Sequence, residues 1–151
     1  MIKRQAAGRT EMVGDKGTVS ELVMEKMRAR GVAGRVAVVG ASSDPQKYGN
    51  IIVRNLLSRG YEVVPINPRE ESIEGLKSYS SLLAVDEPVG IVDFVVPPAV
   101  TLAVLKEITG SSLDTVWFQD GSFNDQVIKY ATEHFENVVH HACIMVVAST
   151  I

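Results

Sequence analysis

The sequence predicts an α/β protein: a doubly wound parallel sheet of about five strands with helices on both faces. Three observations predict it. Short apolar runs rich in Val and Ile alternate with stretches of about ten residues whose apolar positions recur at helical spacing. The runs carry no polar face, as expected of strands covered on both sides. Gly or Pro punctuates the junctions, at Gly40, Gly60, Pro68, Pro97, Pro98, Gly110 and Gly121.

Each element follows from its residues. Thr18-Val19-Ser20-Glu21 fits a capping box, so a helix is expected from Thr18, with Val19, Leu22, Val23 and Met27 on one face and Gly31 and Gly34 as its stop. Val36–Val39 is the first strand and ends at Gly40. Ile52, Val53, Leu56 and Leu57 mark a helix that stops at Gly60. Tyr61–Ile66 is the second strand, and Leu82 and Leu83 form a short helical turn. Ile91–Val96 is the third strand, closed by Pro97-Pro98. Val100, Val104, Leu105 and Ile108 give the next helix. Thr115–Phe118 is the fourth strand, and Phe123, Val127, Ile128 and Ala131 a further helix. Val138–Val147 is expected to hold a fifth strand and a short sixth. The order is Rossmann-like, and in such folds ligands bind beyond the carboxyl ends of the strands, where the strand order switches.

Residues 1–17 are polar and aperiodic and are expected to form a flexible N-terminal arm; residues 18–151 form the folded domain. A net charge of −3 leaves no basic excess for phosphate-backbone binding, which argues against nucleic acid as partner. No apolar run is long enough to span a membrane, and the N-terminus lacks the apolar segment of a signal peptide. One cysteine, Cys143, cannot form an internal disulfide. On these features the protein is expected to be cytoplasmic.

Chemistry is therefore sought in the strand-to-helix loops. The first runs from Gly40 to Asn50. Gly40 lets the chain turn close to a ligand, Ser42 and Ser43 offer hydroxyl donors, Lys47 a charge, and Gly49 would let the helix start approach a pyrophosphate. The loop is not G-x-G-x-x-G, so it reads either as an anion cradle or as a polar helix cap. The second is Asn67-Pro68-Arg69. An acidic residue that would hold a ribose 2′-hydroxyl is absent at this strand end, and Glu70 and Glu71 are expected to face solvent. Arg69 is either a solvent-facing turn residue or a partner for a phosphorylated ribose, as found in NADP and in coenzyme A. The third is Val96-Pro97-Pro98-Ala99-Val100, a stiff corner that serves as an apolar wall or as a plain connection. The fourth is Gln119-Asp120-Gly121-Ser122. Gly121 permits a left-handed turn there, and Ser122 or Asn124 can cap the helix that follows.

No catalytic constellation is legible. His140, His141 and Cys143 lie close in sequence but lack the paired spacing of a zinc site. On a strand, His141 and Cys143 would share one face, with His140 opposite.

The stretch VAVVGASSDPQKYGN, followed in order by YEVVPINP, EPVGIVDFVVPP and WFQDGSFND, resembles the coenzyme A-binding domain family. These are small stand-alone proteins similar to the N-terminal domain of the succinyl-coenzyme A synthetase α subunit. The resemblance runs from about residue 18 to the C-terminus. It implies coenzyme A as the ligand. It also implies that Gly40, Ala41, Ser42, Lys47 and Gly49 wrap its phosphates, with matches in the other loops at Pro68, Pro97, Pro98, Gln119 and Gly121; Ser43, Tyr48, Asn50 and Arg69 are expected to join them in the site. Cys143-Ile144-Met145 resembles the family's terminal cysteine segment, whereas Gly90 and Val146-Val147 depart from its pattern. In the synthetases the phosphorylated histidine and the nucleotide-grasping region lie outside this domain. The expectation is thus a binding module for coenzyme A or acyl-coenzyme A without catalytic machinery, working alone, as a homo-oligomer or as a partner subunit. The alternatives are an NADP-dependent oxidoreductase and a regulatory module that has lost its ligand.

Overall fold

The computed structural model describes residues 19–151. The expectation of an arm over residues 1–17, and of a helix start at Thr18, lies outside them. Helix α1 spans Glu21–Ala29, and its cap is Ser20, whose hydroxyl accepts a hydrogen bond from the Val23 amide. Strand β1 (Val36–Val39) leads to α2 (Tyr48–Ser58), β2 (Val63–Ile66), the short strands β3 (Ser72–Ile73) and β4 (Leu76–Lys77), and a 3-10 turn over Leu82–Ala84. Then follow β5 (Ile91–Phe94), α3 (Pro98–Ile108), β6 (Thr115–Phe118), α4 (Asp125–His134), β7 (Asn137–His140) and α5 (Ile144–Ser149).

The main sheet has the order β2-β1-β5-β6-β7, and every pairing in it is parallel. The chain builds β1 and β2 outward, then returns to the other side of β1 to lay down β5. That reversal is the switch point, and it places the crevice at the carboxyl ends of β1, β2 and β5. The pair β3 and β4 is a small antiparallel hairpin that the sequence reading did not anticipate, since two-residue strands carry no periodicity. Beyond it Tyr79 bridges to Ile66, exchanging backbone hydrogen bonds with Pro65 and Asn67 along the outer side of β2.

The strands are buried on both faces, so side chains alternate between two cores. On one face Val36, Val38, Ile91, Trp117 and Val139 meet α1, α2 and α5 through Val23, Met27, Ile52, Leu56 and Ile144. On the other, Val92, Phe94, Val116 and Phe118 meet α3 and α4 through Leu105, Ile108, Val127 and Ala131. Lys26 of α1 fastens the helix under the sheet, donating to the Gly90 carbonyl, Asp114 and Thr115.

Four local expectations are corrected. Leu22 is exposed rather than part of the buried stripe of α1, where Val23 and Met27 carry the packing. The second and third strands are shorter than Tyr61–Ile66 and Ile91–Val96, because the ladders with β1 take in only Val63–Ile66 and Ile91–Phe94. Pro97 and Pro98 do not form an extended corner together: Pro97 is the cap of α3 and Pro98 its first residue, where a missing amide hydrogen costs nothing. The region after His140 is no sixth strand. His141 turns the chain with φ +60°, Cys143 caps α5, and the segment continues as a helix with Ile144 and Ala148 buried one turn apart. His141 and Cys143 therefore do not share a strand face.

Candidate functional site

At the carboxyl ends of β1, β2 and β5 a pocket of about 410 Å3 opens. It is lined by Val39, Gly40 and Ile66 at the strand ends, by the Asn67-Pro68-Arg69 turn and by Ser80-Ser81-Leu82. Val96, Val100 and Val104 form an apolar wall, with Glu107 beyond them. The size is within the range of small-molecule sites, as is the combination of apolar lining with few polar groups. Gly40, Pro68 and Arg69 thus converge as expected. Pro97 and Pro98 do not line this pocket; the neighbouring valines do. Val100 and Val104 look like core residues by spacing, but Val100 is exposed and both belong to the crevice side of α3.

Gly40 has φ +103°, and a Cβ there would meet the Val95 side chain at 2.6 Å, so the turn off β1 requires glycine. A Cβ on Gly49 would overlap the Gly40 carbonyl oxygen. Gly49 therefore serves the seating of α2 on the strand end.

Most polar groups of this loop are engaged within the protein. The Gly40 amide donates to Ile66 and that of Ala41 to Val38. Buried Ser42 accepts from the Asp44 amide through its hydroxyl at 3.0 Å. Asn50 faces inward, donating to the Ser42 carbonyl at 2.8 Å and to Glu74 at 2.9 Å, and accepting from Arg54 at 2.6 Å. Lys47 caps α2 through its backbone, with its side chain exposed. The Ser43 amide donates to the carboxylate of Glu70 at 3.1 Å, and Asn67 donates to the same oxygen at 3.3 Å while also holding the Ala41 carbonyl at 2.8 Å. Glu70 therefore does not face solvent alone: hydrogen bonds from Ser43 hold its carboxyl below the usual carboxylate range. A carboxylate has taken the kind of partner a phosphate oxygen would take. Among the described residues Arg69 forms no ion pair; its amide donates to Asn67 at 2.8 Å, which fixes the Asn67-Pro68-Arg69 turn.

Gln119 and Tyr48 belong to a second, smaller recess of about 80 Å3 lined by Tyr48, Gln119, Asp120, His141, Ala142 and Cys143. Gln119 is buried. Its carbonyl accepts from the Ile144 amide at 3.0 Å, and its amide donates to the Tyr48 hydroxyl at 3.4 Å. The Tyr48 hydroxyl in turn lies 3.2 Å from Cys143 Sγ. Burial, then the bond to Cys143, push the Tyr48 hydroxyl up to about 12. For Cys143 burial opposes ionisation, but the bond from Tyr48 and the amides of Val146 and Met145 outweigh it and hold the thiol below its ordinary value. Gly121 has φ +89°, the left-handed turn expected of it, and Asn124 rather than Ser122 caps α4. No group of three potential metal ligands exists among the described residues, and none of their helices is long and apolar enough to cross a membrane.

One acidic residue has no role in the sequence reading, where Val92-Asp93 only keeps an Asp resembling the family's pattern. Asp93, in the middle of β5, is fully buried, and neither carboxylate oxygen has a hydrogen-bond partner among the described residues. Burial, and then the nearby Cys143, drive its carboxyl well above the ordinary value. An acidic residue inside an apolar strand was the available signal.

Comparison with known proteins places this geometry. The model of the CoA binding domain matches residues 34–149. The chain is similar to the uncharacterized protein YneT of Bacillus subtilis, with 30% identity over 112 residues, 74% of this chain and 83% of that protein. It is 34% identical over 90 residues to an ADP-forming acetate–CoA ligase of Methanocaldococcus jannaschii; the match takes in 56% of this chain but 13% of the ligase. Among solved structures, a conserved hypothetical protein from Pyrococcus furiosus superimposes with a TM-score of 0.71 at 42% identity, covering 74% of this chain and 97% of that one.

Proposed function

The chain belongs to the CoA binding domain family, and on that footing we propose that it binds coenzyme A or an acyl-coenzyme A as a cytoplasmic binding module without catalytic turnover. The observation that carries the reading is the pocket at the strand-order switch, whose lining combines Arg69 with Val96, Val100 and Val104. Such a pocket suits an amphipathic ligand with a phosphate at one end and a flat or extended apolar part beside it. The phosphorylated ribose would pair with Arg69, whose fork geometry matches a phosphate. The adenine or pantetheine would lie on the valines near Pro68. The pyrophosphate would meet the Gly40–Ser43 turn by displacing Glu70 from the Ser43 amide. Lys47, exposed beside the same turn, would add a positive charge.

A native-state ligand stabilises by RT ln(1 + [L]/Kd), about 2.7 kcal/mol at a hundredfold excess over Kd. Thermal unfolding with coenzyme A, dephospho-coenzyme A and NADPH in parallel tests the reading. Coenzyme A should raise the midpoint most, dephospho-coenzyme A less and NADPH not at all. No shift at millimolar coenzyme A overturns it, and a shift with NADPH alone replaces it with the oxidoreductase reading.

A further inference from the structure

The Cys143 recess and the main pocket stand at the same carboxyl edge of the sheet, on either side of the segment from Gly40 to Gly49. Gly40 borders the larger pocket, and Tyr48, at the other end of that segment, borders the smaller. Cys143 is half-buried and faces a cavity, not solvent at large. Beneath it Asp93 is a fully buried carboxyl with no hydrogen-bond partner among the described residues, on the sheet face that carries Val38 and Trp117. Trp117 locates that face under the recess, since its indole donates to the Ala142 carbonyl at 2.7 Å. Asp93 interacts electrostatically with both Cys143 and Tyr48.

We propose that this recess is a thiol-exchange site in which Cys143 captures the sulfur end of a ligand held in the main pocket. The proposal rests on the coenzyme A reading for the identity of that ligand, and its co-reactant is a low-molecular-weight disulfide, coenzyme A disulfide. The Cys143 thiolate attacks one sulfur of the disulfide. A bond forms between Cys143 Sγ and that sulfur, the original sulfur–sulfur bond breaks, and the other half departs as a thiolate that takes a proton from water. Cys143 is oxidised to a mixed disulfide and the departing half is reduced to a thiol, so no further oxidant is needed.

The neighbours divide the work. Tyr48 is a positioning residue that donates to the sulfur, and Gln119 holds Tyr48 from behind while anchored on the Ile144 amide. Burial of Asp93 favours its neutral form, which opposes a second negative charge under the thiolate. Asp120 and His141 complete the wall from the loops after β6 and β7.

The test treats the full chain at pH 7 with coenzyme A disulfide, and separately with oxidised glutathione, and follows intact mass. Cys143 should gain one coenzyme A unit, at least tenfold faster than free glutathione does. The adduct should be reversed by dithiothreitol and absent from Cys143→Ser. In Tyr48→Phe a rise of about one unit in thiol pKa should lower the rate at pH 7 about threefold, the smaller thiolate fraction being partly offset by greater nucleophilicity, and the midpoint of the pH–rate profile should move upward. The wild-type comparison with glutathione stands even where that variant folds poorly. If coenzyme A stabilises the protein but its disulfide reacts no faster with Cys143 than with glutathione, the exchange site is overturned and the binding reading stands. An unmoved pH profile in folded Tyr48→Phe also overturns it. If coenzyme A does not bind while oxidised glutathione modifies Cys143 rapidly, the reactive thiol stands and coenzyme A as its partner is overturned together with the binding reading.

Discussion

Asp93 sits in a strand whose every other residue is apolar, and burial raises its carboxyl pKa. The folded protein therefore holds this proton to higher pH than the unfolded chain does. Stability from this group is complete below the ordinary carboxylate pKa and declines as pH rises toward the raised folded value, by at most about 1.4 kcal/mol per pH unit. Asp93→Asn cannot ionise, so its stability relative to wild type should grow between pH 5 and pH 8, read from urea midpoints at each pH. Glu70 has the opposite sign. Its carboxyl is held low by Ser43, so that contact is present at neutral pH and is lost only as pH falls through the lowered value. Replacing it by Ala frees the Ser43 amide and removes a negative charge from the crevice; calorimetric affinity for coenzyme A should rise about tenfold. Arg69→Ala should lose about tenfold in affinity for coenzyme A and almost none for dephospho-coenzyme A, because the guanidinium is assigned to the extra phosphate. That Arg69 borders the crevice could be read from the sequence, because its position after a strand end is fixed by the fold. The role of Glu70 could not, because it depends on how tightly Asn67-Pro68-Arg69 turns.

At the level of elements, Val36–Val39 and Thr115–Phe118 coincide with the strands read from sequence, because an apolar run between Gly or polar breaks has few alternatives. The stretch after Val138 misled for the same reason. Val-rich sequence favours a strand in isolation, yet the positive φ at His141 and the packing of Ile144 and Ala148 against the first core convert it to α5. Helix α2 depends on one close approach. In Gly49→Ala the added methyl meets a backbone oxygen that cannot move without disturbing the end of β1. That overlap should cost about 3 kcal/mol or more and lower the thermal midpoint by roughly 6 °C or more. A reduced helical signal near 222 nm before global melting would locate the damage in α2.

Across the molecule, the first predicted ligand loop proves to touch two separate recesses instead of one. The sequence reading grouped Gln119 with Arg69, since both follow strands of one sheet, but β1 and β5 stand between them. The sheet order also sets how the protein opens. Amides of β1 and β5, flanked on both sides, should exchange hydrogen only on global unfolding, and those of β7 earlier, a difference measurable by exchange mass spectrometry. The order has one more consequence. The outer flank of β2 is already taken by Tyr79, and Pro65 offers no amide hydrogen there. Among the described residues, a second copy could extend this sheet only beside β7, the other edge strand, and once two such flanks have met, the described strands have no further edge to offer. Strand-to-strand growth through this sheet would stop at a pair, so the architecture carries its own safeguard against running on into a filament.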